Sequence, residues 1–365
     1  MKPARVLALS SVPREGASAR FRVYQYIPAL QASGFEVTVS PFYTPEFFRI
    51  LYRRGHYARK VLWFLRQTLE LRQVLARASG FDVLFVHREV LPIGPPLVER
   101  ALARRKGRPL VYDFDDAVYL PNVSEANRFA GLLKWPQKVP TVIRLSDRIV
   151  AGNDHLARYA RAHNPAVSVI PTCVDTETFV PRPGPGPTAG PPPVVGWIGS
   201  PTTVRYLLPL RDVLGRVART LPFHVRVSGA GRGIEIPGVS VSNLAWSLEH
   251  EVSLFSGCDI GLYPLPDTEW TRGKCGFKAI QFMACGVPVV AAPVGVNREI
   301  IQDGVNGFLA STPAEWEEKL ARLLSDRGLR TRLGAAGRET VVDRYALAVH
   351  APVLAALFRD VLGGA

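Results

Sequence analysis

Short apolar runs alternate with longer segments of helical periodicity along most of the chain. Residues 4–10 (ARVLALS) form a continuous apolar run, the signature of a buried strand. A polar loop from Pro13 to Ala19 follows, and a helical stretch over about Ser18–Ser33 stops at Gly34. EVTVSPF (36–42), DVLFVH (82–87), PLVYDF (109–114), DRIVAG (147–152) and VSVIPT (167–172) read as further strands. Residues 181–193, PRPGPGPTAGPPP, can sustain neither a helix nor a central strand and read as a linker. The alternation then restarts. PVVGWIG, HVRVSG, DIGLYPL and VPVVAA are strand candidates, a long helical stretch spans 313–340, and an amphipathic helix closes the chain at 345–362. Strands alternating with helices predict parallel sheets covered on both faces.

Length supports this division. At 365 residues and 47% apolar content, the chain exceeds one typical core and suits two α/β domains. The expected organisation is 1–180, a linker at 181–193, a second domain at 194–344, and the last helix in 345–365. A cleft between the two domains is expected to carry the site, because ligands of such sheets lie beyond the carboxyl ends of the strands.

The four cysteines (Cys173, Cys258, Cys275, Cys285) show neither a C-x-x-C pair nor zinc spacing, so they read as reduced thiols of a cytoplasmic protein. Residues 1–12 hold too short an apolar run for a secretory signal, and no stretch approaches the roughly 18 apolar residues of a membrane span. The chain therefore reads as soluble or peripheral.

A net charge of +14 favours an anionic partner: nucleic acid, lipid headgroups or a phosphorylated substrate. Between residues 47 and 78, eight Arg and Lys residues face Glu70 alone, interleaved with Phe, Leu and Trp63. Two readings remain open for this segment, an interfacial membrane helix or a helix pair packed on its own domain with a solvated basic face. No zinc finger, RNP-like or basic-zipper pattern supports nucleic acid.

The densest cluster of candidate chemistry is Thr271–Leu309, TRGKCGFKAIQFMACGVPVVAAPVGVNREIIQDGVNGFL. A helix over Gly276–Cys285 places Phe277, Ile280 and Ala284 on one stripe and Lys278, Gln281 and Cys285 on another. Lys274 precedes it in a glycine-flanked loop. Two cations at a helix N-terminus make an anion site, suited to a diphosphate leaving group. Gly199-Ser200-Pro201 follows the first strand of the second domain, with Arg205 about a turn later, as a second phosphate-binding arrangement. Asp113-Phe114-Asp115-Asp116 closes a strand in the first domain. No other acidic cluster completes a metal cage, so Asp115 and Asp116 are candidates for contacts with sugar hydroxyls or an acceptor. His87 ends a neighbouring strand. No G-x-S-x-G or reactive-cysteine context points to covalent hydrolysis.

At these motifs the chain resembles glycosyltransferase family 4, the retaining enzymes of the GT-B fold. The resemblance is carried by FMACGVPVVAAPVGVNREIIQDGVNGFL, by SDRIVAGN with VIPTCVDTETF, and by VYDFDDAVYL, GWIGSPTTVRYL and RGKCGFKAIQFMACG, which look like a subgroup acting on polysaccharides and the cell envelope. It implies two Rossmann-like domains, a final helix crossing back to the first, no metal, and no cofactor beyond a UDP- or GDP-linked sugar donor. It further implies donor contacts from Gly199, Ser200, Trp246, Glu269, Gly273, Cys275, Gly276, Phe277 and Gln281. Lys274, Lys278, Arg205, Asp115 and Asp116 are the catalytic candidates; the family's Arg/Lys pair on the diphosphate is not in its usual place, and Arg205 with Lys274 or Lys278 stands in for it. Gly16, Arg20, Arg22 and His87 would meet a glycan or lipid-linked acceptor. The chain departs from the family's two glutamates, having Gly273 and Gln281 at those positions; Asp267 or Glu269 could substitute for the first. Rival readings are an epimerase or phosphorylase on the same fold, a non-catalytic tether of a polysaccharide machine, and a nucleic-acid-binding module.

Overall fold

The computed structural model describes residues 2–51, 55–105, 107–121, 135–182 and 192–363. Most of the expected linker (183–191) and part of the basic segment (52–54) lie outside these residues.

The chain forms two compact units, Met1–Thr172 with Leu347–Ala365, and Cys173–Ala346. The division falls at 172 rather than 180 because residues after the last strand of the first sheet are held by the second unit. Val174 donates to the Tyr345 carbonyl, and Arg338 reaches the carbonyls of Thr176 and Phe179.

The first unit has a six-stranded parallel sheet in the order β2-β1-β3-β4-β5-β6. Its strands are β1 (Ala4–Ser10), β2 (Phe35–Pro41), β3 (Val83–His87), β4 (Leu110–Phe114), β5 (Arg148–Ala151) and β6 (Val167–Val169). The buried runs of β1, β3 and β4 follow from helices covering both faces of the sheet. The helical stretch expected over 18–33 is broken. Ala17–Arg22 and Ile27–Ala32 are separated by a 3-10 turn, Tyr24–Tyr26, with Val23 outside helical dihedrals and Pro28 in the first turn of the second helix. The last helix, Leu347–Gly363, crosses back onto this unit. There Phe358 stands edge-on to Phe35 and Phe85, Arg359 donates to the Ser33 carbonyl, and Asp360 pairs with Arg148.

The second unit's sheet runs β12-β11-β10-β7-β8-β9. Its strands are β7 (Val194–Ile198), β8 (His224–Ser228), β9 (Ser240–Leu244), β10 (Ile260–Tyr263), β11 (Val289–Ala291) and β12 (Phe308–Leu309). Read from β9, this is the doubly wound dinucleotide-fold order, whose direction reverses between β7 and β10. β9 has a largely exposed pattern and β12 has two residues, which is why hydrophobic periodicity misses both. The long helix expected over 313–340 is two helices, Pro313–Ser325 and Arg327–Arg344. Asp326 ends the first and accepts from the Leu329 N–H to cap the second.

Candidate functional site

Each unit gathers candidate residues at the carboxyl edge of its sheet. In the second unit, Gly199 and Ser200 follow β7 directly, at the point where strand order reverses. Gly199 accepts no larger residue, because a Cβ there would lie 2.3 Å from the Trp197 ring and 2.7 Å from Thr203 Oγ1. The Ser200 N–H donates to Thr203 Oγ1 at 2.9 Å, closing a tight turn. Gly229 follows β8 with φ +80°, and a Cβ there would meet the Gly199 carbonyl at 2.4 Å and Trp246 Cβ at 3.4 Å. Trp246 therefore sits beside this turn, half-buried. Arg205 is exposed, on the 3-10 turn Val204–Tyr206, and its guanidinium lies over the Tyr206 ring.

The second half of this locus is the helix Phe277–Ala284. Gly276 caps it with φ +64°, and a Cβ at that position would come within 2.2 Å of Ile300 Cδ1. Backbone and side chain thus both require glycine where the V-G-V-N-R-E segment presses on the helix N-terminus. Asn297, buried there, holds the segment by donating to the Ala292 carbonyl at 2.8 Å. Lys274 is half-buried with its ammonium 5.6 Å from the centre of the Trp270 ring. Lys278, the second residue of the helix, lies over Phe255 and Phe277 and donates to Gln281 Oε1 at 2.8 Å.

Both stripes of this helix are buried over most of its length. Gln281 and Cys285 are as buried as Ile280 and Ala284, and only Phe277 and Lys278 reach half-exposure. The cause is that the helix lies in the interior of the unit, contacting β10, β11 and Arg327–Arg344. Burial also pushes the Cys285 thiol up to about 12 and the Cys258 thiol up to about 11, so both stay protonated at neutral pH. The loop before the helix carries the remaining candidates. Glu269 is exposed at the start of the short helix Glu269–Arg272, which Thr268 and Thr271 cap reciprocally. Gly273 ends that helix, and Cys275 is buried. Asp267 is engaged by Arg272 at 2.6 and 3.1 Å.

In the first unit the register sets His87 of β3 opposite Asp113 of β4. His87 Nδ1 donates to Asp113 Oδ2 at 2.6 Å, and Arg22 grips both oxygens of the same carboxylate while donating to the Ile170 carbonyl at 2.7 Å. All three side chains are at most 2% exposed. Burial alone would raise the Asp113 carboxyl, but Arg22 and His87 outweigh it and hold it below its usual range. Arg22, expected among the acceptor contacts, is thus an internal strut. Arg20 ties down the loop after β1 through the carbonyls of Arg14 and Glu15, and Gly16 caps the Ala17–Arg22 helix.

His87 Nε2 is buried with no hydrogen-bond partner among the described residues, 3.9 Å from Asp115 Oδ1. Arg88 follows in the left-handed region with φ +59°, its N–H on the Asp113 carbonyl. This strained turn aims the guanidinium at Asp115 (2.6 Å) and Asp116 (3.5 Å). Burial would raise the Asp115 carboxyl, yet Arg88 and His87 bring it well below the usual carboxylate range. Among the described residues no group of three His, Cys, Asp or Glu side chains is placed to hold a metal ion. Arg88, Gly229, Asn297 and Trp270 were not among the sequence candidates. The first two follow strands directly, which is the signal that could have marked them.

With this geometry in view, the chain was compared with known proteins. A family model described as Glycosyltransferase Family 4 matches residues 20–178, and one described as Glycosyl transferases group 1 matches residues 192–326. The chain is of the GT-B glycosyltransferase type. It is 30% identical over 226 residues to the D-inositol 3-phosphate glycosyltransferase of Xylanimonas cellulosilytica, a stretch spanning 54% of this chain and 53% of that protein. It is 29% identical over 280 residues to the protein of the same name from Nocardiopsis dassonvillei, spanning 65% of this chain and 62% of the relative. The matched stretches thus cover between half and two thirds of these relatives. Two solved structures share the fold over nearly the whole chain. Sucrose-phosphate synthase from Thermosynechococcus elongatus has a TM-score of 0.70 at 17% identity, covering 99% of this chain and 100% of its own. Anabaena HepE in complex with UDP and glucose has a TM-score of 0.67 at 16% identity, covering 98% and 100%.

Proposed function

We propose that the protein is a retaining, metal-independent glycosyltransferase that moves a sugar from a nucleotide-diphosphate donor to a hydroxyl of a glycan or lipid-linked glycan, in cell-envelope polysaccharide synthesis at the cytoplasmic side of the membrane. The observation that carries this reading is the locus at the reversal point of the second sheet. There the Gly199–Ser200 turn follows β7, Lys278 stands in the first turn of the Gly276-capped helix, and Lys274 lies two residues before its cap. Such a place combines backbone N–H groups, a helix dipole and two cations, all suited to a diphosphate.

In the proposed reaction the bond from the sugar's anomeric carbon to the diphosphate oxygen breaks, and the acceptor oxygen attacks from the same face. The leaving phosphate oxygen takes the acceptor's proton. Lys274, Lys278 and the helix N–H groups neutralise the charge that develops on the diphosphate, and Arg205 supports it from the neighbouring turn. Gln281 is fully buried and acts on the donor only through Lys278, which it holds at 2.8 Å. Asp115 and Asp116, oriented by Arg88, are assigned to the acceptor, and the buried His87 lies 3.9 Å from Asp115 Oδ1.

A second reading is favoured by one observation. Gly273 offers no side chain, and Gln281 is a neutral amide already engaged by Lys278. On this reading the locus binds a nucleotide sugar without turning it over, and the protein serves as a binding or tethering component.

Thermal-shift measurements against UDP, GDP and other nucleotide diphosphates, with and without EDTA, test the donor site. Selective stabilisation by one of them, retained in EDTA and lost in Lys274→Ala, is expected. No stabilisation by any nucleotide diphosphate removes the donor assignment. Stabilisation without transfer to any glycan acceptor supports the non-catalytic reading. UDP is the first ligand to test, since HepE was crystallised with it.

A further inference from the structure

The helix Tyr57–Arg77 in the first unit has two apolar faces rather than one. The inner face is accounted for: Phe64 lies against Phe42, Trp63 stands edge-on to Phe47, and Leu71 is buried. The opposite face bears Val61, Leu62, Leu65 and Leu69, exposed to 59%, 65%, 56% and 59%, with Tyr57 at 69% nearby. At 100° per residue these four aliphatic side chains fall within an arc of about 100°, and the spacing of Leu62, Leu65 and Leu69 makes them one stripe. A solvated basic face would leave such positions polar. Single exposed apolar residues need no explanation, but a contiguous stripe marks a contact surface.

The charges around the stripe indicate what covers it. Arg59, Arg66, Arg72 and Arg77 are exposed on this helix, the first, second and fourth along one flank of the stripe and Arg72 at its far end. The helix carries one acidic residue, Glu70, and Arg66 already engages it at 2.9 Å. Leucines in the centre with arginines able to bend their charged ends away from them is the distribution of a helix that lies in a bilayer surface. A protein partner of ordinary composition would not call for so one-sided a charge, whereas anionic headgroups would. No described helix is long and apolar enough to span a membrane, so the contact is with the surface.

We propose that the outer face of Tyr57–Arg77 docks the protein on an anionic lipid surface, with Val61, Leu62, Leu65 and Leu69 entering the headgroup boundary and the arginines pairing with lipid phosphates. This inference does not depend on the donor site. It would hold equally for a non-catalytic tether.

The test is flotation of the full chain with vesicles of equal parts phosphatidylglycerol and phosphatidylcholine, against vesicles of phosphatidylcholine alone. Binding is expected to the anionic vesicles only and to weaken in 0.5 M salt, where the Debye length falls to a few ångströms. Leu62→Ser, Leu65→Ser and Leu69→Ser together should reduce vesicle affinity at least tenfold. All three side chains are solvent-exposed, so folding and nucleotide-dependent thermal shift should be unchanged. A second variant with Arg59, Arg66, Arg72 and Arg77 replaced by Gln should lose the preference for phosphatidylglycerol. Absence of wild-type binding, or a serine variant that binds as wild type does, overturns the proposal. So does a concentration-dependent dimer by light scattering that the serine variant abolishes, which would assign the face to a second copy of this chain.

Discussion

Lys278 Nζ donates to Gln281 Oε1 at 2.8 Å, and the amide nitrogen of the same fully buried glutamine finds no partner among the described residues. One side of Gln281 is therefore satisfied by an ammonium, and the other forms no internal hydrogen bond. A carboxylate would be accepted at this position, because the cation is already beside it and no bond made by the amide nitrogen would be lost. Gln281→Glu is expected to fold with a melting temperature near that of the wild type. It should also raise transfer activity, by placing a carboxylate beside Lys278. Lys278→Ala is expected to lower stability by about 1–3 kcal/mol, since it strands a buried acceptor. Urea titrations of both variants, with donor turnover measured alongside, check the pair.

Gly276 is a second point of leverage. With φ +64° and a Cβ position 2.2 Å from Ile300 Cδ1, Gly276→Ala must shift either the helix start or the 297–300 turn. Backbone strain and overpacking together should destabilise the protein by roughly 2–4 kcal/mol. Nucleotide-diphosphate affinity should fall by more than global stability explains, because the displaced N–H groups are those proposed to meet the phosphates. Isothermal titration on the folded fraction separates the two effects.

The buried group of Arg22, His87 and Asp113 predicts an acid limb. Arg22 and His87 keep the Asp113 carboxyl below its usual range, so folding gains from its ionised form. That contribution is complete above the unfolded value of about 3.9 and is lost as pH falls through the lower folded value. Asp113→Asn should remove much of this slope between pH 4 and more acid conditions. At pH 7 it should cost about 3–5 kcal/mol, since Arg22 would stay buried without its carboxylate. Chemical denaturation at a series of pH values measures both.

Phe358 ties the final helix to the first unit through Phe35 and Phe85. Phe358→Ala should destabilise that unit by about 3–5 kcal/mol. Hydrogen exchange should show the loss concentrated in β1, β2 and Leu347–Gly363, with β7 to β12 keeping wild-type protection. Uniform loss across both sheets would show instead that the two units unfold together.

Much of the site's scaffold could be read before any coordinates. Ten of the twelve strands are short apolar runs, and the pause at Gly199-Ser200 after β7 and the Gly276 helix start are visible as small residues beside periodic segments. The two strands that escaped, β9 and β12, are exposed or only two residues long, so they carry no periodic signal. The roles of the charged residues were less legible. Asp113, Asp115 and Asp116 look alike in sequence, but Asp113 lies within β4 opposite His87 and meets Arg22, whereas Asp115 and Asp116 lie past the end of the strand and pair with Arg88. Arg22 read as a ligand contact and proved to be a buried strut.

Hydrophobic periodicity and small-residue punctuation by themselves determined the two parallel α/β units and the strand-end loops where the candidate residues gather, because both signals are local in the chain. Only the tertiary structure decided which charges are engaged and which apolar faces are covered. Arg22 meets Asp113 across 91 residues of sequence, and Lys278 donates to a glutamine that helical spacing had only set on the same stripe. The helix Tyr57–Arg77 likewise read as either packed or interfacial. Folding uses one of its apolar faces and leaves the other in solvent, an outcome set by how much surface Phe42 and Phe47 can cover.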